Sequence, residues 1–393
     1  MNIIDIFCGC GGLTEGFLST KKFNTLAIID WDKPSLDTLK HRMKTKWGYS
    51  NIEDISIHYD IQNIQKLING FNDELYGKSQ GLNKILGNNQ VDLIVGGPPC
   101  QAYSLAGRVR DKNGMKDDYR NYLFESFVKL VSIYKPKAFI FENVLGMLSA
   151  KPGDILITDR IREAFNKAGY EISEDLRREA VFNMSYYGIP QERKRVIIFG
   201  VKKSQKSNIS LFYENLRNKE KLEQEPLKNY LKGLPKFRPV SFNENLYTYK
   251  SIDKNNLKNH IPRKQSKRDV EIFKILTKDI ETEKYEYIST QARIDLYKKF
   301  TGRKTNFFKH NVLKYDKPSN TIPAHLYKDG LRHIHPDSKQ ARTITPREAA
   351  LIQSFPNDFE FLGSQTDQFK MIGNAVPPRF SKLIAETLLN LFN

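Results

Sequence analysis

The chain has 393 residues with 63 Lys and Arg against 45 Asp and Glu, a net charge of +18. That length holds two domains or one large domain with an insertion, and that charge points to a polyanionic partner, nucleic acid above all if the charge is localised. No apolar run reaches membrane-spanning length, the N-terminus opens on a strand pattern, and the three cysteines, Cys8, Cys10 and Cys100, make no disulfide framework and complete no zinc site. No signal peptide, anchor or metal is therefore expected, and a reducing cytoplasm is the natural compartment.

In chain order, Ile3 to Phe7 read as a strand running into Cys8-Gly9-Cys10-Gly11-Gly12 and then a helix through Phe17. Strand, glycine turn and helix open a nucleotide-type site: Gly9, Gly11 and Gly12 let the backbone approach a ligand, and the helix N-terminus offers unpaired N–H groups. The next strand, Leu26 to Ile29, ends at Asp30-Trp31. A carboxylate there suits two ribose hydroxyls and the indole suits a purine face. A helix over Pro34 to Lys44 leads to a third strand, Ile57 to Ile61, with Asp60 at its end.

Val91 to Val95 is an apolar run stopped by Gly96-Gly97-Pro98-Pro99, a buried strand whose stiff exit delivers Cys100 at its carboxyl end. Apolar residues at helical spacing predict a core-facing helix over Asn121 to Tyr134. Ala138 to Val144 follow as a strand that brings Glu142 to the same sheet edge as Cys100. A helix over Thr158 to Ala168 and a strand over Val196 to Val201 complete an alternating α/β pattern. Just before that strand, period two would place Gln191, Arg193 and Arg195 on one face.

After Val201 the texture changes. Residues 202–339 are rich in Lys, Asn, Tyr and Phe, with Pro226, Pro235 and Pro239 breaking them up and few clean periodic elements. This basic, aromatic-laced stretch reads as a smaller inserted domain that supplies nucleic-acid contacts. Alternation resumes at Thr345-Pro346, a candidate N-cap followed by Pro at the first helical position. A last amphipathic helix ending at Phe392 is expected to pack back on the first domain. The expected division is 1–201, 202–340 and 341–393.

Together these residues resemble the C5-cytosine DNA methyltransferase family. Asp5-Ile-Phe7-Cys-Gly9-Cys-Gly11-Gly12 is similar to its first motif, Asp30-Trp31 to its second and Asp60-Ile61 to its third. Gly97-Pro-Pro-Cys100-Gln101 resembles the fourth, Glu142-Asn143-Val144 the sixth, Gln191-x-Arg193-x-Arg195 the eighth and Gly373-Asn374-Ala-Val the last, all in family order. Residues 202–340 stand in the place of the variable target recognition region, and Asn320-Thr321-Ile322 resembles a dipeptide motif found there. Ala106 replaces a hydroxyl residue of some relatives.

The resemblance implies a Rossmann-like methyltransferase sheet, S-adenosyl-L-methionine as donor with S-adenosyl-L-homocysteine as product, and double-stranded DNA as substrate. It implies Cys100 as the nucleophile that adds to cytosine C6, Glu142 at N3, Arg195 at the cytosine O2, and Arg193 positioning either the loop or a phosphate. Phe7 and Trp31 would flank the adenine, Asp30 take the ribose and Asp60 with Ile61 meet the adenine edge, with Pro98, Leu123 and Asn374 completing the pocket. Gln101, Ser104, Arg108, Arg110, Thr321 and Ile322 are the expected DNA contacts, on a base flipped from the stack. The implied setting is a prokaryotic cytoplasm, with a monomer acting beside a restriction endonuclease that need not touch it. Two rivals are a tRNA cytosine methyltransferase of the Dnmt2 type, whose Cys-Phe-Thr signature is absent here, and a catalytically silent relative, which would lack the nucleophile or donor motif.

Overall fold

In a computed structural model, residues 1–99, 123–303 and 310–392 are described. Cys100, Gln101, Ser104, Arg108 and Arg110 lie outside them. The chain divides into two compact units: Met1–Tyr187 with Lys194–Leu222 and Ala375–Asn393, and Gly188–Arg193 with Glu223–Asn374.

The first unit is built on a mostly parallel sheet. Its strands are β1 (Asn2–Ile6), β2 (Asn24–Asp30), β3 (Ser56–His58), β4 (Leu93–Gly96), β5 (Ala138–Val144), β6 (Tyr170–Ile172), β7 (Val181–Asn183) and β8 (Lys194–Lys202). The order is β3-β2-β1-β4-β5-β8-β6, with β7 also on β8. β1 to β5 pair in parallel, whereas β8 runs antiparallel to β5, β6 and β7. The central strands are apolar along almost their whole length because both faces are covered, as parallel sheets require.

Chain order reverses beside β1, which has β2 on one side and β4 on the other. Ile6 is in register with both Ile29 and Gly96. The segments leaving β1, β2 and β4 therefore emerge at one sheet edge at a switch point, where open α/β sheets bind ligands.

Helix α1 (Gly12–Leu18) follows β1, α2 (Lys33–Trp47) follows β2, and α3 (Leu123–Tyr134) and α4 (Ile157–Lys167) flank β5. Phe139 of β5 stacks on Phe165 of α4 at 4.0 Å between ring centroids. The strand expected over Ile57 to Ile61 is shorter, so Asp60 falls two residues beyond it. Residues 202–222 go with this unit: α5 (Asn208–Arg217) lays Phe212 on Phe199 of β8 at 4.2 Å. The C-terminal helix Pro378–Phe392 packs against α1 at Gly16, where a Cβ would meet Pro378 and Ser381.

The second unit has a three-stranded antiparallel sheet, β9 (Phe237–Ser241), β10 (Leu246–Ser251) and β11 (Gln265–Ser266), with helices α6 (Lys267–Glu281), α7 (Thr290–Thr301), α8 (Pro346–Ile352) and α9 (Gln365–Asn374). Residues 341–374 thus cluster with it, beyond the expected limit at 340. Ser266 caps α6, accepting from the Asp269 N–H at 3.1 Å, and Val270, Phe273 and Leu276 bury one face.

Thr345 begins α8 as its spacing predicts. Its hydroxyl accepts from Glu348 N–H, Glu348 accepts in return from Thr345 N–H at 2.8 Å, and Pro346 holds the first turn. Glu348 is also gripped by Arg342 through two bonds of 2.6 and 2.7 Å, both side chains 1 % exposed. Burial alone would raise the Glu348 carboxyl, but the Arg342 guanidinium holds it well below the usual carboxylate range.

Candidate active site

At the carboxyl end of β1 the backbone turns sharply: Phe7, Gly9 and Gly11 all have positive φ, at 59°, 53° and 87°. For Phe7 that conformation is strained, the kind of backbone that accumulates at functional sites. Gly12 is required for space, since a Cβ there would run into the Val376 carbonyl ahead of the C-terminal helix. Beneath the loop, Thr14 donates to the buried Asp5 at 2.5 Å and ties α1 to β1. Burial pushes Asp5 up to about 7 against the pull of that bond.

Asp30, at the end of β2, accepts from Gly9 N–H at 2.7 Å and from Asp32 N–H at 2.8 Å. It fastens the glycine loop to the neighbouring strand. Burial pushes it up to about 6, although these backbone donors favour its anion. The Trp31 N–H also favours the anion, and a carboxylate has about four acceptor positions, so capacity remains for a ribose hydroxyl. Trp31 follows with 55 % of its surface exposed. Asp60 accepts from the Gln62 N–H at 3.1 Å and the Gln62 side-chain amide at 2.7 Å, Tyr59 N–H bonds Asp30 O at 3.0 Å, and Ile61 is buried. Leu123, buried, begins α3. The donor set of carboxylate acceptor, aromatic ring and close-approach glycine loop is the chemistry an adenosine would need.

The second half of the edge is β4 and β5. Gly97 lies against the Glu142 carboxylate, where a Cβ would stand 3.0 Å from Oε2. Asn143 Nδ2 donates to Pro98 O at 3.4 Å and its Oδ1 accepts from Val144 N–H at 2.8 Å, so the Gly97–Pro99 turn is held to β5. Register places Glu142 opposite Ile197 and Arg195 opposite Val144. Arg195 Nε stands 3.0 Å from Glu142 Oε1, an ion pair whose N–H is not aimed along the bond: Oε1 has no hydrogen-bond partner among the described residues. Arg195 Nη1 is held by Lys194 O at 2.9 Å. A mostly buried carboxyl beside a fixed guanidinium, with acceptor capacity unspent, can bind a polar ring edge.

Gln191 and Arg193 are buried, Glu192 and Arg195 are partly buried and Lys194 is exposed, an alternation of period two from Gln191 to Lys194. The ladder with β5 begins at Arg195, opposite Val144, in the first unit, whereas Gln191 and Arg193 belong to the second. Arg193 is 1 % exposed and its guanidinium donates to Ile322 O at 3.3 Å and Gly373 O at 3.2 Å. Of its two expected roles this geometry supports holding the loop. Gln191 accepts from Ile322 N–H at 2.9 Å and donates to Gln353, and Gln353 donates to Ile372 O at 3.0 Å. Thr321 donates to Glu192 O, and residues 191–192 pair with 319–320 in a short parallel ladder. Ile322, expected on DNA, is fully buried, because its backbone is needed in this clamp. Asn374 ends α9 in the second unit and is exposed. Gln353 was not anticipated, yet a polar residue four positions after Ala349 on an otherwise apolar helix face is a readable signal.

The profile of the C-5 cytosine-specific DNA methylase family matches residues 1–390. The chain belongs to this family. The type II methyltransferase M.Bpa9945I of Bacillus paralicheniformis is 32 % identical, with 100 % of this chain and 99 % of that protein covered. M.DdeI of Desulfomicrobium norvegicum is 30 % identical over 100 % of this chain and 91 % of its own length. Among solved structures, a candidate DNA modification methyltransferase from an E. coli prophage shares the fold with TM-score 0.61 at 24 % identity, covering 100 % and 99 % of the two chains. The S. pombe Dnmt2 methyltransferase does so with TM-score 0.57 at 14 % identity and complete coverage of both. The Dnmt2 likeness is therefore one of fold, whereas this methylase aligns from end to end with restriction-modification enzymes. Its described residues include no helix long and apolar enough to cross a membrane.

Proposed function

We propose that this methylase modifies one cytosine within a specific duplex DNA word, using S-adenosyl-L-methionine and a transient bond from Cys100 to cytosine C6. The observation that carries the proposal is the Glu142–Arg195 pair at 3.0 Å on the sheet edge that also carries Asp30 and Trp31. Cytosine C5 is a poor nucleophile until a thiolate adds at C6 and makes it enamine-like. Glu142 hydrogen-bonds N3 and so favours that addition, while Arg195 takes the O2 edge and steadies the carboxyl. When bound, S-adenosyl-L-methionine supplies an electrophilic methyl group. Phe7 and Trp31 hold its adenine, Asp30 its ribose, and Asp60 with Ile61 the adenine edge, while the glycine loop admits its backbone-facing side.

Bisulfite sequencing of DNA from cells expressing the protein tests the proposal: one short word should be protected at a single cytosine. Unprotected DNA from cells that make soluble protein would refute it. In the same reading the protein is the modification half of a restriction-modification pair.

Donor binding can be measured apart from activity. Trp31→Ala and Asp30→Ala should each weaken calorimetric affinity for S-adenosyl-L-methionine by about tenfold or more, since stacking on an aromatic ring contributes roughly 1–3 kcal/mol. Unchanged affinity in both would remove the cofactor assignment.

The second unit is the target recognition domain in this reading, because the chemistry at the sheet edge is the same for every word. Replacing residues 188–193 and 223–374 by those of a relative should transfer the relative's methylated word. Retention of the original word would place readout elsewhere.

A further inference from the structure

In the second unit, Arg238 of β9 stands directly opposite Lys250 of β10, two rungs along from Val240 opposite Thr248. The other side of these strands faces inward. Phe237 is buried, its N–H is bound by Gln340 at 3.1 Å, and the Tyr249 hydroxyl donates to Ala341 O at 2.8 Å. Alternation therefore sends Arg238, Val240, Thr248 and Lys250 to the opposite, solvent side. There Arg238, Val240 and Lys250 are exposed. Phe242, just past β9, is 55 % exposed with Lys264 Nζ 3.6 Å from its ring centre.

Like charges placed directly opposite destabilise a sheet, and among the described residues neither Arg238 nor Lys250 has an acidic partner. The surrounding stretch deepens the imbalance. From Phe237 to Arg268 there are eight Lys and Arg but only two acids, Glu244 and Asp253. Glu244 is at the hairpin tip, and Asp253 is occupied by the Lys236 N–H at 3.0 Å. A fold that keeps an unneutralised cation pair on a rigid ladder, flanked by an exposed ring, has a surface complementary to a polyanion.

We infer that this sheet face is the surface by which the methylase grips duplex DNA, with Arg238 and Lys250 on backbone phosphates and Val240 and Phe242 against the apolar parts of the groove wall. The inference rests on the proposed DNA substrate and adds a location to it. Phosphate contacts set the register of a protein on the duplex, and base contacts then specify the word. The two cations here supply register.

The test uses the full chain and a duplex that it methylates. Arg238→Glu and Lys250→Glu should each weaken duplex binding, measured by anisotropy, and flatten the log–log salt dependence by about one unit. Arg238→Lys should keep the wild-type slope. Arg238→Glu also sets a carboxylate opposite Lys250, so its thermal midpoint should equal or exceed that of wild type, and calorimetric donor affinity should be unchanged. Wild-type salt slopes in both reversals, beside a wild-type protein that binds and methylates the duplex, would overturn this face while leaving the proposed function intact. A lower midpoint with lost donor binding in Arg238→Glu would also overturn it, by showing a structural role. Failure of the wild-type protein to bind any duplex would sink the broader reading and the face with it.

Discussion

DNA with 5-fluorocytosine at the target position should trap the wild-type protein in an adduct that survives denaturing electrophoresis and requires S-adenosyl-L-methionine. Addition of Cys100 at C6 and methylation at C5 can both proceed on that base. The closing elimination cannot, because fluorine does not leave as a cation. Cys100→Ser should give no adduct, since a free cysteine with a pKa of about 8.5 already has some thiolate near neutrality and a serine hydroxyl has essentially none. Glu142→Gln should slow adduct formation by roughly 10²–10⁴-fold, the usual range for loss of a positioned proton donor or acceptor, without moving the attachment point. Mass spectrometry of the digested adduct locates that point. Attachment at Cys8 or Cys10 would refute the assignment. The structure argues against either one: both belong to the glycine loop and are buried, and burial pushes Cys8 well up and keeps the Cys10 thiol protonated.

Glu348→Gln should be the most damaging conservative change to the second unit. It leaves the Arg342 guanidinium buried without its counterion, a loss of about 3–5 kcal/mol when one partner of a buried pair is removed. The midpoint should fall by roughly 6–20 °C for a unit of this size. Replacing both partners with apolar residues of matching shape should cost less, which separates the lone-charge effect from packing. The acid side adds a second readout. Because the folded Glu348 carboxyl is depressed, its contribution is complete above the ordinary glutamate value near 4.3 and disappears as pH falls toward its folded value. The variant should lack that decline. Burial also pushes His310 and His333 down to about 4 and His335 to about 3. Unfolded histidines bind protons that these folded ones refuse, so both proteins should lose stability as pH falls below about 6.5. Equal midpoints for the variant and wild type at neutral pH would refute the stabilising role of the pair.

Much of the first unit was legible because its signals are local. An apolar strand ending in Asp30-Trp31, a glycine turn after β1 and a carboxylate closing β5 each announce themselves within about ten residues, and parallel strands place them at one edge. Arg193 and Arg195 show where local reading stops. They are two positions apart, yet a ladder that starts at Lys194 holds one while a clamp on Ile322 and Gly373 buries the other, and neither the ladder start nor the distant partners are visible in a period-two pattern. In the second unit the amphipathic face of α6 was masked by Glu271 and Lys274, which interrupt the run of Val270, Phe273 and Leu276. The Arg342–Glu348 grip spans only six positions but depends on the turn before α8 and on burial, neither of which a periodic pattern shows, whereas the capping box that positions Glu348 was readable.

The backbone passes between the two units four times, at 187–188, 193–194, 222–223 and 374–375. A unit joined in this way cannot be inherited as one continuous cassette. The hexapeptide Gly188–Arg193 is separated from the rest of its unit by β8 and α5, yet its Gln191 and Arg193 hold the Thr321–Ile322 backbone in place. Recombination that exchanges residues 223–374 alone would leave a foreign loop on a native clamp. New specificities arising by gene conversion should therefore either bring the short segment along or be confined to changes that leave the 320–322 backbone and Gln353 untouched.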